Sequence, residues 1–288
     1  MKTGGILLCG GHGTRLLPTT KYINKHLIPI YDKPMIYYSL SILLLAGMRE
    51  ITIVCNPEDR DSFQKLLGSG EEFGADIKYS VQEAPLGIPD AISKALEVSD
   101  YDKFITVLGD NFIFGQNFFT NLEFIYNNTV TSSIFHQKVK NPEDFGVIDV
   151  DVNNKITSII EKPKKYISNK AVIGLYIFDH NFQNYFENSS HSDRNEYEIV
   201  DILNQYLNNN LQHHEIGRGT AWFDMGTTEA FFNCSSFVRT IQERQDVLVC
   251  SPHEIAYRNN WIDQISLENY IGTIKGSEYS ENLINSLL

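Results

Sequence analysis

Positive charge is in short supply in this chain of 288 residues: 24 Lys and Arg stand against 36 Asp and Glu, a formal charge of −12. A surface this acidic repels phosphate polymers and anionic lipid, which argues against nucleic acid or a membrane as partner. Any cation that meets a phosphate must be gathered in a pocket. Long apolar runs are missing too. The longest, Leu40–Ala46, falls far short of the ~20 residues of a membrane-spanning helix. The stretch Met1–Cys9 lacks the layout of a signal peptide, because glycines follow at once. Cysteine is sparse: Cys9, Cys55, Cys234 and Cys250 are scattered without a Cys-x-x-Cys. Each reads as a reduced thiol rather than a disulfide partner or zinc ligand. The cytoplasm is the expected compartment.

What is present is an alternation of short apolar runs and amphipathic stretches. Gly5–Cys9, Glu50–Cys55, Ile77–Val81 and Phe104–Leu108 read as buried strands. A helix is expected between the first two, with Pro34 in its first turn, Ile36, Leu40, Leu43 and Leu44 on one face, and Gly47 ending it. Further helices are expected over Glu58–Leu67 and Pro89–Val98. This order predicts an α/β fold, a doubly wound and mostly parallel sheet with helices on both faces. The second half is more mixed. Strands are expected at Ser132–Val139, Gly146–Val150, Ile156–Ile160 and Val172–Phe178, and helices at Glu196–Leu207 and Thr227–Gln242. Residues 251–288 read as short helices appended to one domain.

The strongest local signal is Gly10-Gly11-His12-Gly13-Thr14-Arg15-Leu16, directly after the first strand. Glycines let successive backbone N–H groups approach an anion, and Arg15 adds a fork of donors. No Gly-Lys-Ser/Thr follows, so it is not a Walker loop, and Leu16 occupies the third glycine position of a dinucleotide fingerprint. A Gly-rich turn with a surface Arg fits the same residues. Leu108-Gly109-Asp110 ends a hydrophobic strand with a carboxylate, where ligands of open α/β sheets bind. Asp224, in Trp222-Phe223-Asp224-Met225-Gly226-Thr227, offers a second carboxylate. By itself it reads better as a residue leading into a helix. Glu161-Lys162 fits an exposed charged turn equally well. His136, His180, His191, His213 and His214 show no ligand spacing.

Taken together, the Gly-Gly-x-Gly-Thr-Arg-Leu loop, Pro18, Thr20, Lys25, Pro29 and Lys33-Pro34 closely resemble the start of the sugar nucleotidylyltransferases, and among them the glucose-1-phosphate thymidylyltransferases. The resemblance implies a Rossmann-like mixed sheet over residues 1–250, with a nucleotide part over about 1–130, a sugar-phosphate part over about 131–230, and a helical extension over 251–288. It implies that Gly10, Gly11, Gly13, Thr14 and Arg15 bind the triphosphate and that Lys25 contacts the reacting phosphates. Asp110 and Asp224 match the two metal aspartates, for Mg2+. Asp144–Ile148, Ile160–Pro163 and Val172–Tyr176 match the sugar-phosphate motifs. These assign Gly146, Glu161 and Val172 to the sugar and Lys162 to its phosphate. Arg194 matches a further phosphate Arg, with Asn195 where Gly is usual. Tyr79–Ile88 matches the base-recognition segment through Gln82 and Gly87.

The implied reaction joins dTTP and α-D-glucose 1-phosphate into dTDP-glucose and pyrophosphate. Leu86 stands where thymidylyl members carry Asp, and His26 where many carry Gln. A uridylyl- or cytidylyltransferase therefore stays open, as does a non-catalytic nucleotide-sugar sensor. UTP is expected as a secondary substrate, since one methyl discriminates by only ~1–3 kcal/mol. Gln245, Cys250–Arg258 and Trp261–Asp263 resemble the segment that carries tetramer contacts and a second, feedback nucleotide-sugar site in short thymidylyltransferases.

Overall fold

The computed structural model describes residues 1–286. Its elements begin with β1 (Thr3–Leu8), the short pair β2 (Pro29–Ile30) and β3 (Lys33–Pro34), α1 (Met35–Leu45), β4 (Glu50–Cys55), α2 (Arg60–Leu67), β5 (Asp76–Val81), α3 (Ile88–Ser99) and β6 (Lys103–Leu108). Then come β7 (Asn111–Phe114), α4 (Phe118–Asn128), β8 (Ser133–Lys138), β9 (Gly146–Val150), β10 (Ile156–Glu161), β11 (Lys170–Asp179), α5 (Asn181–Glu187) and α6 (Ile199–Tyr206). The chain continues through β12 (Gln212–Glu215), β13 (Ala221–Asp224), α7 (Thr228–Gln245), α8 (Pro252–Arg258), α9 (Gln264–Thr273) and α10 (Glu278–Ser286).

The central sheet runs β10-β9-β11-β6-β1-β4-β5, with β8 beside β11 and β12 beside β8. β1 pairs in parallel with both β4 and β6, and β4 with β5. This parallel half is doubly wound, and its order reverses between β1 and β6. The alternating pleat of β1 sends Leu7 into one core with residues of α1 and α2, and Ile6 and Leu8 into a second with residues of α3, α5 and α6. Burial on both faces is why these strands read as unbroken apolar runs. In the second half β11 pairs antiparallel with β6, β8 and β9, and β9 with β10, while β12 joins β8 in parallel.

One expectation needs correction. The sequence suggests a single apolar face on α1, yet Met35 to Leu44 are all buried. Its second face is covered by the C-terminal helices: Ile255, Leu267, Ile271, Tyr279 and Leu283 join the same core as Ile36, Leu40 and Leu43. A buried ion pair reinforces this closure. Lys33 Nζ lies 2.7 Å from Asp32 Oδ1, with both side chains inaccessible. Gln242 of α7 receives a bond from Lys33 and returns one to Asp32, and the Lys33 ammonium lies over the Tyr38 and Tyr279 rings. Among the described residues, no helix is long and apolar enough to cross a membrane.

Candidate active site

The site is built where four parallel strands end. Past β1 the chain enters Gly10–Gly13, past β4 Asn56, past β5 Gln82, and past β6 Gly109 and Asp110. The ladder persists briefly: Cys9 N–H donates to Val54 O, Gln82 N–H to Cys55 O, and Gly109 N–H to Leu8 O. These four loops therefore meet at the crevice where strand order reverses, the usual ligand position in such sheets. Gly11 and Gly13 take φ of 88° and 58°, left-handed values that only glycine adopts freely. Thr14, Arg15 and Leu16 then form one turn of 3-10 helix, and Thr20 Oγ1 donates to Gly13 O at 2.8 Å.

One ion pair and a second acid and cation line this crevice. Lys25 Nζ pairs with Asp110 Oδ2, both side chains being mostly buried. Arg15 lies against Gly226, where an added methyl would collide with its Nη2 and sit 3.0 Å from Asp224 Oδ1. Antiparallel pairing of β7 with β13 sets Asp224 opposite Asn111, and Met225 N–H donates to Asp110 O at 2.9 Å. Two carboxylates distant in sequence are thus held side by side. Burial pushes both carboxyls up. For Asp110 the Lys25 ammonium, His26 and the hydrogen bonds to the carboxylate together outweigh this, and the group is held below its ordinary range. For Asp224 the charge of Asp110 adds to burial, and it stays raised despite Arg15 and Lys25. His26 is packed against Gly109, and burial, with Lys25 beside it, pushes its imidazole down to about 3. It is neutral near pH 7.

Gln82 lies at the other end of the crevice. Its Nε2 donates to Gly87 O at 3.0 Å and to Asp90 Oδ2 at 2.8 Å. With both donor positions engaged, its Oε1 is left beside Gly10, as an acceptor. Gly87 takes φ 101° and lies against the Tyr197 backbone, whose N–H donates to Leu86 O.

The expected sugar-phosphate residues form a second cluster. Register pairs Gly146 with Glu161 across β9 and β10. Lys162 takes φ 44°, pinned by its N–H to Phe145 O at 2.9 Å, with its ammonium 3.6 Å from Glu161 Oε1. Left-handed backbone costs a non-glycine residue roughly 1 kcal/mol or more and gathers at functional sites. Val172 is buried on β11. Arg194 is half exposed and forks onto Glu198. Asn195 takes φ 58°, a conformation that Asn tolerates better than other non-glycine residues. Its replacement of the expected Gly therefore leaves the local backbone intact.

Trp222 joins the two clusters. Its Nε1 donates to Asn111 Oδ1 at 2.6 Å, and its ring lies 5.4 Å from that of Phe145. Sequence motifs contain both residues but give no sign of this bond, which spans 111 positions.

The pattern of the nucleotidyl transferase family matches residues 4–241. The chain belongs to this family. A glucose-1-phosphate thymidylyltransferase of Neisseria meningitidis is 42% identical over 284 residues, covering 98% of this chain and 99% of that one. A solved candidate glucose-1-phosphate thymidylyltransferase of Bacillus anthracis, in complex with a sucrose, is 35% identical with a TM-score of 0.76. It covers 82% of this chain and 95% of its own. A UDP-glucose pyrophosphorylase complexed with UDP-glucose shares the fold, with a TM-score of 0.72 at 23% identity, over 83% of this chain and 99% of its own. As a nucleotidyl transferase the chain is an enzyme. No group of three or more His, Cys, Asp or Glu arranged for a metal occurs among the described residues. The Asp110–Asp224 pair suits instead a hard cation such as Mg2+, which commonly takes one or two carboxylates and completes its shell with phosphate oxygens and water.

Proposed function

We propose that this chain transfers the thymidylyl group of dTTP to α-D-glucose 1-phosphate, forming dTDP-glucose and pyrophosphate. The observation that carries the reading is the crevice itself, where Arg15, Lys25, Asp110 and Asp224 converge at the switch point of a nucleotidyl transferase sheet. The names of the close relatives supply the nucleotide and the sugar. An oxygen of the sugar phosphate attacks the α-phosphorus, the bond to the β-phosphate breaks, and pyrophosphate leaves. The attacking oxygen is already anionic near pH 7, so no general base is required.

The obstacle is bringing two polyanions together. The Gly10–Thr14 backbone and Arg15 receive the triphosphate, Lys25 meets the reacting phosphates, and Lys162 and Arg194 hold the sugar phosphate. Gly146, Glu161 and Val172 shape the sugar pocket. Positioning and charge neutralisation are the main sources of rate in such a site. Asp110 and Asp224 would hold Mg2+, which neutralises phosphate charge when bound. Gln82 Oε1 accepts from the N3–H of a pyrimidine, beside the Gly87 backbone. Uracil carries the same N3–H, so UTP is a secondary substrate.

The same proposal places the enzyme in the cytoplasm as a homotetramer, with the C-terminal region carrying contacts between copies and a feedback nucleotide-sugar site. Light scattering of the purified chain tests the assembly. The reaction is tested by incubating the protein with dTTP, glucose 1-phosphate and Mg2+ and weighing the product by mass spectrometry. A mass of dTDP-glucose that vanishes with EDTA and returns with Mg2+ is expected. Undiminished product in EDTA would remove the metal from the account.

A further inference from the structure

Neither the phosphate loop nor the Lys25 segment stands on its own backbone alone; both are tied to the segment that follows β4. The grip starts at Asp59, at the end of a single 3-10 turn between β4 and α2. Its Oδ2 accepts one bond from Asn24 Nδ2 at 2.7 Å and another from Asn56 Nδ2 at 2.8 Å. A carboxamide has one donor end and one acceptor end, so fixing the nitrogen fixes where the oxygen points. Asn56 Oδ1 accepts from the N–H of Gly11, at 3.1 Å. Asn24 Oδ1 accepts from the N–H of His26 at 2.9 Å and lies 2.7 Å from His26 Nδ1. Asn24 Nδ2 also reaches Cys9 O, at 3.2 Å. Both amides are buried, and all three residues line a polar cleft of about 330 Å³ together with Gly11 and His12.

We propose that Asp59 is a positioning residue: by orienting Asn56 and Asn24 it sets the spacing between the Gly11 loop and Lys25 before a nucleotide arrives. This rests on the function proposed above. Asp59 acts through two amides, one on each of the two segments that must close on a single triphosphate. Interactions arranged in advance lower the ordering that binding must impose, so the effect belongs to nucleotide capture and not to the sugar phosphate.

Steady-state kinetics with each substrate varied in turn test this. In Asp59→Leu both bonds are lost, and the KM for the nucleotide is expected to rise at least tenfold while that for the sugar phosphate stays within twofold. Asp59→Asn keeps an oxygen able to accept both bonds and is expected to remain within about threefold of the wild type. A simple loss of folded enzyme would lower kcat and leave both KM values unchanged. That result, or an Asp59→Asn variant as impaired as Asp59→Leu, overturns the proposal. Should Asp59→Leu not fold, Asn56→Ala, which releases only the Gly11 arm, must raise the nucleotide KM at least fivefold; an unchanged value overturns it equally. The wild-type arm separates this from the underlying reading. A wild type without activity on any nucleotide contradicts the proposed function, whereas an active wild type with an unmoved nucleotide KM in the variants contradicts only the role of Asp59.

Discussion

Burial and the charge of Asp110 both push the Asp224 carboxyl up, so its ionised form weighs on the stability of the unliganded protein. A carboxyl with a raised folded pKa destabilises the native state wherever it is ionised. Asp224→Asn removes that charge without changing shape. Its melting temperature without metal is expected to match or exceed that of the wild type. Turnover is expected to fall at least a hundredfold, about 3 kcal/mol of lost transition-state contact. Parallel melting and activity assays decide; near-normal activity would remove Asp224 from the metal pair. His136 gives a second prediction. His213 Nε2 faces Asn154 O at 2.8 Å, and a carbonyl only accepts, so that nitrogen carries the proton. His213 Nδ1 is then the acceptor for His136 Nε2, 3.0 Å away, and His136 Nδ1 is left buried and bare. Burial, then His213, pushes the His136 imidazole down to about 4 from 6.5. The unfolded chain binds this proton first as pH falls. Stability is therefore unaffected by this group above pH 6.5 and declines from there towards pH 4, with a slope approaching ~1.4 kcal/mol per pH unit. Denaturation of His136→Gln across this range is expected to show a shallower decline; an unchanged slope would contradict the assignment.

At the scale of elements, β1, β4, β5 and β6 with their helices are legible in the sequence because each strand is an apolar run bounded by glycine or a turn. β4 and β9 match their expected spans, while the expected helix from Glu196 begins only at Ile199. β7, α4, α5, β12 and β13 escape a sequence reading. β7 and β13 are four residues each, and they gain their meaning only from pairing with one another. The same limit hides Asn24, Asn56 and Asp59, whose shared function is set by bonds between separate loops. Arg15, Lys25, Asp110 and Gln82 stood out because each lies in a local motif. The Lys33–Asp32 pair belongs to this scale, since it ties the β2–β3 turn to α7. Removing one member of a buried ion pair leaves the other uncompensated, at about 3–5 kcal/mol. Lys33→Ala is expected to lose stability of that order in urea denaturation. A loss below about 1 kcal/mol would show that the hub contributes little.

Across the whole molecule, the acidic surface contrasts with a crevice in which Arg15 and Lys25 stand beside Asp110 and Asp224. Net charge of −12 disfavours phosphate polymers, and in the proposed reaction the few cations of the crevice meet small phosphate-bearing molecules. The C-terminal helices, legible as short helices but not as part of the core, bury the second face of α1 and so support the turn that leads from Lys25 into that helix. The relatives match along almost the full chain, the C-terminal helices included. The most direct test measures pyrophosphate release with glucose 1-phosphate and Mg2+, in parallel with dTTP, UTP, CTP, GTP and ATP. Release chiefly with dTTP, and a smaller rate with UTP, is the predicted result. Release chiefly with a purine nucleotide or CTP would contradict the reading of Gln82 and Gly87, and release with none of the five would contradict the proposed reaction itself.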